Sequence, residues 1–145
     1  MLRAHLQYAV PAARAFAYLS DPRHRPEWQS SLRRVELLGP DPTAAPHVGQ
    51  RWLDHTAAGI APEMVTTELE PDAVWAESGR WRALEADLVL RFEPTGAGCR
   101  VEVAFEVRGP GALRPLGWAA TAAGLFAVRS DLRRAGRILA VGGER

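Results

Sequence analysis

The sequence predicts an α+β fold in which a curved antiparallel sheet wraps around one long C-terminal helix. Strand patterns follow one another over most of the chain with few helices between them, which is typical of α+β rather than parallel α/β proteins. The clearest strand covers 99–108, where apolar and polar residues alternate, so that one face is buried and one is wet. Apolar positions spaced by three and four residues from about 113 to 141 predict the helix.

The N-terminal segment predicts one strand followed by two short helices. Residues 2–9 alternate between apolar and polar side chains, as a half-buried strand does. A proline then begins a helix over 11–19, where its missing N–H costs nothing. Asp21 and Pro22 mark a second helix with Asp21 as its N-cap, and Pro26 keeps that helix brief.

Six further strand patterns complete a sheet of about seven strands. They cover 32–38, about 50–57, 63–70, 73–82 and 86–94, and finally 99–108. Clusters of glycine and proline separate the first of these from the loop that follows it and end the last one. The long helix must bury its apolar stripe on this sheet, and the sheet is therefore expected to curve around it.

The composition restricts the classes of function. The 145 residues fit a single domain, 1–145. All 18 basic residues are arginine, which excludes Schiff-base catalysis by a lysine and a Walker-type phosphate site. A net charge of +1 argues against a nucleic-acid partner bound through bulk charge. One cysteine excludes a disulfide framework and a cysteine-based zinc site.

The sequence contains no metal-binding or membrane-spanning motif. The four histidines have no partner at the spacing of a metal-binding helix, so we expect no metal site. No apolar run approaches the roughly 20 residues that span a bilayer, and no stable membrane insertion is expected. The N-terminus shows no signal-peptide pattern, which makes the cytoplasm the expected compartment.

Several segments of the chain resemble one known superfamily. The residues from Val10 to Pro22, VPAARAFAYLSDP, followed by Pro26-Glu27-Trp28, resemble the opening of START-related (SRPBCC) proteins, especially the polyketide cyclase/dehydrase-like branch. Later pieces fit in order: Val48-Gly49-Gln50-Arg51, Leu69-Glu70-Pro71, Phe92-Glu93-Pro94 and Gly98-Cys99-Arg100-Val101. The resemblance implies a helix-grip fold with a cavity between sheet and helix. It also implies an apolar ligand, which some members cyclise or dehydrate without a cofactor and others only carry or sense.

The long helix contains a run of small residues that predicts where such a cavity lies. Residues 119–124 read AATAAG, and side chains of this size cannot fill the space between a helix and a sheet about 10 Å away. We therefore expect a ligand chamber beside the first half of this helix. The alternative is close packing, in which small residues let the helix approach the sheet.

Large apolar side chains are the expected lining of this chamber, because flat aromatic surfaces suit an aromatic or polyene ligand. The alternative for each of them is ordinary core packing. The predicted ligand-binding residues are Trp28, Trp52, Trp75, Trp81, Phe92, Phe105, Trp118, Ala122 and Leu125.

Acid–base residues on the predicted strands are the candidates for catalysis. Asp54 and His55 are adjacent on one strand, so only one of them can face the chamber, and the sequence does not decide which. His55 suits proton transfer near neutral pH. Arg82 could hold a carboxylate or stabilise an enolate as a fixed cation. Glu63 and Glu77 are the other polar strand residues of interest, and a solvated strand face is the alternative for each candidate.

Together with the resemblance, the sequence predicts a protein that binds a small hydrophobic, polyketide-like or aromatic ligand. Whether it is an enzyme stays open; if it is, the expected activity is a cyclisation or dehydration that requires no cofactor. The alternatives are a non-catalytic carrier or sensor of a lipid or quinone, and an interaction protein that uses the same groove. A paired acid and base in the chamber would favour the enzyme, and a uniformly apolar chamber would favour the carrier. A monomer and a homodimer are both compatible with the sequence.

Overall fold

The computed structural model describes residues 1–143. The strands, in chain order, are β1 (Leu2–Tyr8), β2 (Leu32–Leu38), β3 (Arg51–Thr56), β4 (Glu63–Glu70), β5 (Val74–Trp81), β6 (Leu84–Thr95) and β7 (Gly98–Arg108). The helices are α1 (Ala12–Leu19), α2 (Arg25–Trp28) and α3 (Arg114–Gly143). The strands form one antiparallel sheet in the order β1-β7-β6-β5-β4-β3-β2. The predicted α+β helix-grip class, with seven strands and a long C-terminal helix, is thereby confirmed.

Two tight turns join β5, β6 and β7 into a meander. In the first turn Arg82 has a φ of 55°, the left-handed conformation that a two-residue hairpin needs. In the second turn Gly98 has a φ of 147°, and a Cβ at this position would collide with the carbonyl of Tyr8. Glycine is required here because β7 passes close to the end of β1 as it begins to pair with it.

Two bulges bend the sheet. The pairing of β2 with β3 shifts its register between Leu32 and Arg34, and the pairing of β4 with β5 shifts between Thr66 and Glu68. A bulge adds a residue to one strand and increases the local twist. The sheet therefore curls, and its concave face looks toward α3.

The short helices lie between β1 and β2 and cover one side of the concave face. The Asp21 side chain accepts a hydrogen bond from the Arg23 backbone N–H at 3.0 Å, as predicted for an N-cap. A 3-10 turn over Pro22–His24 leads directly into the single turn of α2. In α1, Phe16 meets Phe92 of β6 edge to face, with ring centres 5.5 Å apart.

The C-terminal half of α3 packs solidly on the sheet and on β1. Leu132, Ala135 and Leu139 are buried on one side of the helix. The hydroxyl of Tyr8 donates to the carbonyl oxygen of Leu132 at 2.6 Å and fixes the helix against β1. Although α3 is 30 residues long, no helix within residues 1–143 is both long and apolar enough to cross a membrane.

Candidate ligand-binding and catalytic site

A cavity of about 350 Å³ lies between the concave face of the sheet and the N-terminal half of α3. Its wall is mostly apolar and includes Met64, Leu88, Phe105 and Val128. This volume falls near the lower end of the range of about 300–1,000 Å³ that is typical of small-molecule sites.

Small residues lie on both sides of this cavity. Gly79 of β5 pairs with Ala86 of β6 on the sheet side, and Gly124 and Ala127 belong to the part of α3 that lines the cavity. Large side chains at these positions would close the gap, because protein interiors otherwise fill to crystal-like density.

The register of the strands turns two carboxylates toward the cavity. Trp52 pairs with Met64, and Met64 pairs with Gly79, so alternate residues of β3, β4 and β5 share the concave face. Asp54 follows Trp52 by two residues, and Glu77 precedes Gly79 by two. Both carboxylates therefore point to the same side of the sheet and line the cavity.

Arg25 of α2 inserts between these two carboxylates. Its Nη2 and Nε donate to the Asp54 oxygens Oδ2 and Oδ1 at 2.8 and 3.3 Å, and its Nη1 donates to Oε2 of Glu77 at 2.7 Å. The side chain is only 2% exposed. We call Arg25, Asp54 and Glu77 the Arg25 cluster.

Aromatic rings complete the surroundings of this cluster. The Trp52 indole N–H donates to Oδ1 of Asp54 at 2.9 Å. The Arg25 guanidinium carbon lies 5.8 Å from the ring centre of Trp28 and 5.4 Å from that of Trp52. Such distances allow cation–π attraction, which helps to hold a cation away from water.

The cluster perturbs the protonation of its members. Burial raises the pKa of Glu77 to about 7, an effect that Arg25 opposes and the charge of Asp54 reinforces. Burial lowers the pKa of Arg25, but Glu77 and Asp54 outweigh that effect and leave it raised. Arg25 therefore stays a cation, whereas burial holds the pKa of Glu77 well above that of an ordinary carboxyl group. A group of this kind, in a mostly apolar cavity, is suited to general acid–base chemistry.

One charged side chain lines the cavity from the helix. Asp131 of α3 is 9% exposed, and its Oδ1 accepts hydrogen bonds from the Ser30 backbone N–H at 3.2 Å and from the Ser30 hydroxyl at 2.9 Å. Asp131 thus ties the segment that follows α2 to α3 at the border of the cavity.

Some of the predicted ligand-binding residues line this cavity, and others do not. Trp28, Trp81 and Phe105 belong to its wall. The remaining predicted lining residues lie outside it. Trp52, Trp75 and Phe92 are buried in the core, Leu125 is half-buried against the core, and Trp118 and Ala122 are exposed.

The exposed positions follow from the orientation of α3. Thr121 is buried and bonds to the backbone of Val107 and Gly117, which turns Ala122 and Trp118 outward. Trp118 is 73% exposed. The small residues that border the cavity are therefore Gly124 and Ala127, not the preceding alanines.

The three predicted catalytic residues lie in different places. Of the adjacent residues Asp54 and His55, Asp54 is the one that lines the cavity. His55 points to the other side of β3, where its Nε2 lies 3.1 Å from a carboxylate oxygen of Glu36. Arg82 is exposed on the β5–β6 turn and stacks on Trp81, 4.7 Å from its ring centre. Its position on the turn, outside the cavity wall, corrects its assignment as a cavity cation.

Arg25 lies in the cavity wall, where the sequence predicts Arg82. The sequence singles out Arg25 by no period or motif, because it lies in a one-turn helix between His24 and Pro26. Glu77 carried a weak signal as a polar residue on a strand of otherwise buried character. The residues around Glu77 are set by the strands that pair with β5. The sequence of residues 73–82 does not indicate which strands those are.

The fold and the cavity together define a helix-grip protein with a cavity between its sheet and its long helix. Residues 3–140 match the family model described as polyketide cyclase / dehydrase and lipid transport. The chain belongs to this family.

Solved structures show the same architecture at low sequence identity. Protein MLL2253 from Mesorhizobium loti superposes with a TM-score of 0.71 at 15% identity, covering 95% of each chain. DR_A0006 from Deinococcus radiodurans gives 0.64 at 23% identity, covering 97% of this chain and 96% of that one. The di-domain ARO/CYC StfQ from the steffimycin biosynthetic pathway gives 0.70 at 16% identity, covering 94% of this chain and 49% of StfQ. No curated protein matches the chain in sequence.

Proposed function

We propose that the protein binds a small hydrophobic, polyketide-like or aromatic molecule in the cavity and catalyses its cyclisation or dehydration without a cofactor. The observation that carries the proposal is the Arg25 cluster in the wall of a mostly apolar chamber. A buried ion cluster is a poor source of stability, because desolvation offsets much of its attraction. Proton transfer to and from a bound ligand gives the cluster a purpose.

Glu77 is the proposed proton-transferring group. As a carboxylate it takes a proton from the carbon next to a ligand ketone, and an enolate forms. The enolate then attacks a second carbonyl of the same molecule, or it expels a β-hydroxyl group. In the first case the alkoxide formed from the second carbonyl takes the proton held by Glu77. In the second case that proton leaves with the hydroxyl as water. Either way the carboxylate of Glu77 is restored. Arg25 and Asp54 act as positioning residues that fix Glu77 in the wall.

Family membership and the likeness to an aromatase/cyclase support this proposal. We also propose that residues 1–145 form a single ligand-binding domain. The second candidate is a non-catalytic carrier, which the mainly apolar wall formed by Met64, Leu88 and Phe105 favours. The two candidates share the binding site and differ only in whether Glu77 turns over a proton.

Ligand uptake is tested by filling the chamber. Ala86→Phe places a ring between sheet and helix at a position that lines the cavity, whereas Ala122→Phe adds the same ring on the exposed side of α3. The probe is N-phenyl-1-naphthylamine, a neutral dye whose fluorescence rises in apolar sites. We expect about tenfold weaker binding for A86F and wild-type binding for A122F. Equal affinity of A86F and wild type would place the dye elsewhere and overturn the proposal.

Proton transfer is tested with 1-tetralone, an aromatic ketone. Exchange of its α-hydrogens for deuterium is followed by NMR in heavy water. We expect exchange above the buffer rate, increasing as Glu77 ionises around pH 7, and a loss of about 100-fold in Glu77→Gln. Glu93→Gln, on an exposed part of β6, is the matched control. Dye binding without exchange in the wild type would identify the carrier instead.

A further inference from the structure

Acidic side chains outnumber basic ones in the cavity wall, and this excess of negative charge limits the class of ligand that can bind. We infer that the chamber accepts uncharged or cationic ligands that carry a hydrogen-bond donor and rejects carboxylates, with Asp131 as the residue that sets this selectivity. The inference rests on the proposed function, since it names the substrate class of that same cavity.

Arg25 is not available to neutralise an anionic ligand. Its guanidinium makes hydrogen bonds through Nε, Nη1 and Nη2 to both Asp54 and Glu77. These four hydrogen bonds use four of the five N–H donors of the guanidinium. Two carboxylates against one cation leave the polar wall negative or, when Glu77 is protonated, neutral.

Asp131 adds a carboxylate that forms no ion pair within residues 1–143. Both of its hydrogen bonds within residues 1–143 go to Oδ1 and come from Ser30, so Oδ2 has no hydrogen-bond donor there. No arginine or histidine nitrogen of the described chain lies within 4.0 Å of it, although α3 carries several arginines. A second carboxylate brought into this low-dielectric space is repelled.

The other acids of the cavity wall are compensated. Glu85 and Asp87 form ion pairs with Arg80 and Arg108 at the ends of β5, β6 and β7. They neither attract nor repel a ligand strongly, because exposed pairs of this kind are screened. The selectivity therefore falls on Asp131 and the Arg25 cluster.

The free oxygen of Asp131 indicates the kind of polar group that fits. Oδ2 of Asp131 can only accept, so it pairs with a ligand group that donates, such as a hydroxyl or an ammonium. A carboxylate group has no hydrogen to donate, and it cannot form this hydrogen bond.

Three probes of one shape test the inference: 2-naphthalenemethanol, 2-naphthylmethylamine and 2-naphthoate. Their affinities are measured by titration calorimetry at pH 8 and low salt. The wild type should bind the alcohol and the amine at least about tenfold more tightly than the carboxylate. Asp131→Asn should reduce the ratio of amine to carboxylate affinity by about five- to tenfold. Glu93→Gln should leave that ratio unchanged.

A structural role of Asp131 is separated from its charge by Ser30→Ala. This variant removes the hydroxyl donor to Asp131 but keeps the carboxylate, so the selectivity should persist. Equal binding of all three probes to the wild type, or an unchanged ratio in D131N, would overturn the inference and leave the proposed function intact. Failure of every probe to bind the wild type would overturn both.

Discussion

The two halves of α3 face the same sheet with opposite results. The C-terminal half presents Leu132 and Leu139, which are buried against β1 and the neighbouring core. The N-terminal half presents Gly124 and Ala127, which border a cavity of about 350 Å³. We call these the solid end and the hollow end. The difference shows that side-chain size along one helix decides where a core closes and where it leaves room for a ligand.

The two ends are also held by different forces. The solid end depends on apolar burial and on one hydrogen bond from Tyr8 to α3. Beside the hollow end, the Arg25 cluster joins α2 to the sheet, and the hydrogen bonds from Ser30 to Asp131 join the segment after α2 to the middle of α3. Apolar packing therefore predominates at the solid end, and polar contacts border the cavity beside the hollow end.

The largest effect is expected from Arg25→Met. It leaves Asp54 and Glu77 buried without a cation, which costs about 3–5 kcal/mol of unfolding free energy. The pKa of Glu77 is already raised to about 7, and without Arg25 it rises further. A raised carboxyl pKa removes stability as the pH climbs above the unfolded value, so the loss should be greater at pH 8 than at pH 5.

Urea unfolding at both pH values measures this change. Arg80→Met is the matched control, because that side chain is 72% exposed and should cost little at either pH. If R25M is as stable as R80M, packing and not charge stabilises the region beside the hollow end.

The next effect compares leucines at the two ends. Leu132→Ala removes a fully buried side chain from the solid end and should cost about 3 kcal/mol. Leu125→Ala, half-buried toward the hollow end, should cost about 1 kcal/mol. Urea unfolding of both variants supplies the values. Equal losses would mean that the hollow end is packed as tightly as the solid one.

The sequence predicted the elements of this fold well because their signals are local. Alternation over 99–108 and the three–four stripe over 113–141 correspond closely to β7 and α3. Burial of one face is enough to generate such patterns, and they need no knowledge of which elements meet. The N-cap at Asp21 was predicted for the same reason.

The candidate site was predicted less well because it depends on pairing and rotation. Asp54 and Glu77 meet only through the registers of β3, β4 and β5. Arg25 enters from a one-turn helix whose direction no periodicity gives. Trp118 and Ala122 were placed inward, but the hydrogen bonds of Thr121 set the rotation of α3 and turn both outward.

The smallest effect compares glycines at the two ends. A Cβ at Gly136 would lie 2.9 Å from the Tyr8 ring, which cannot retreat because its hydroxyl is bonded to Leu132. Gly136→Ala should therefore cost about 1 kcal/mol despite the better helix propensity of alanine.

At Gly124 a Cβ would meet the ring of Phe105, but that ring borders the cavity and can move into it. Gly124→Ala should leave stability within about 0.5 kcal/mol, since the gain in helix propensity offsets the displacement. The displaced ring should reduce the affinity for N-phenyl-1-naphthylamine severalfold, whereas Gly136→Ala should leave it unchanged. Urea unfolding should thus detect a loss of stability only in Gly136→Ala, and dye titration should detect a loss of affinity only in Gly124→Ala. A variant that loses both would show that the two ends are not independent.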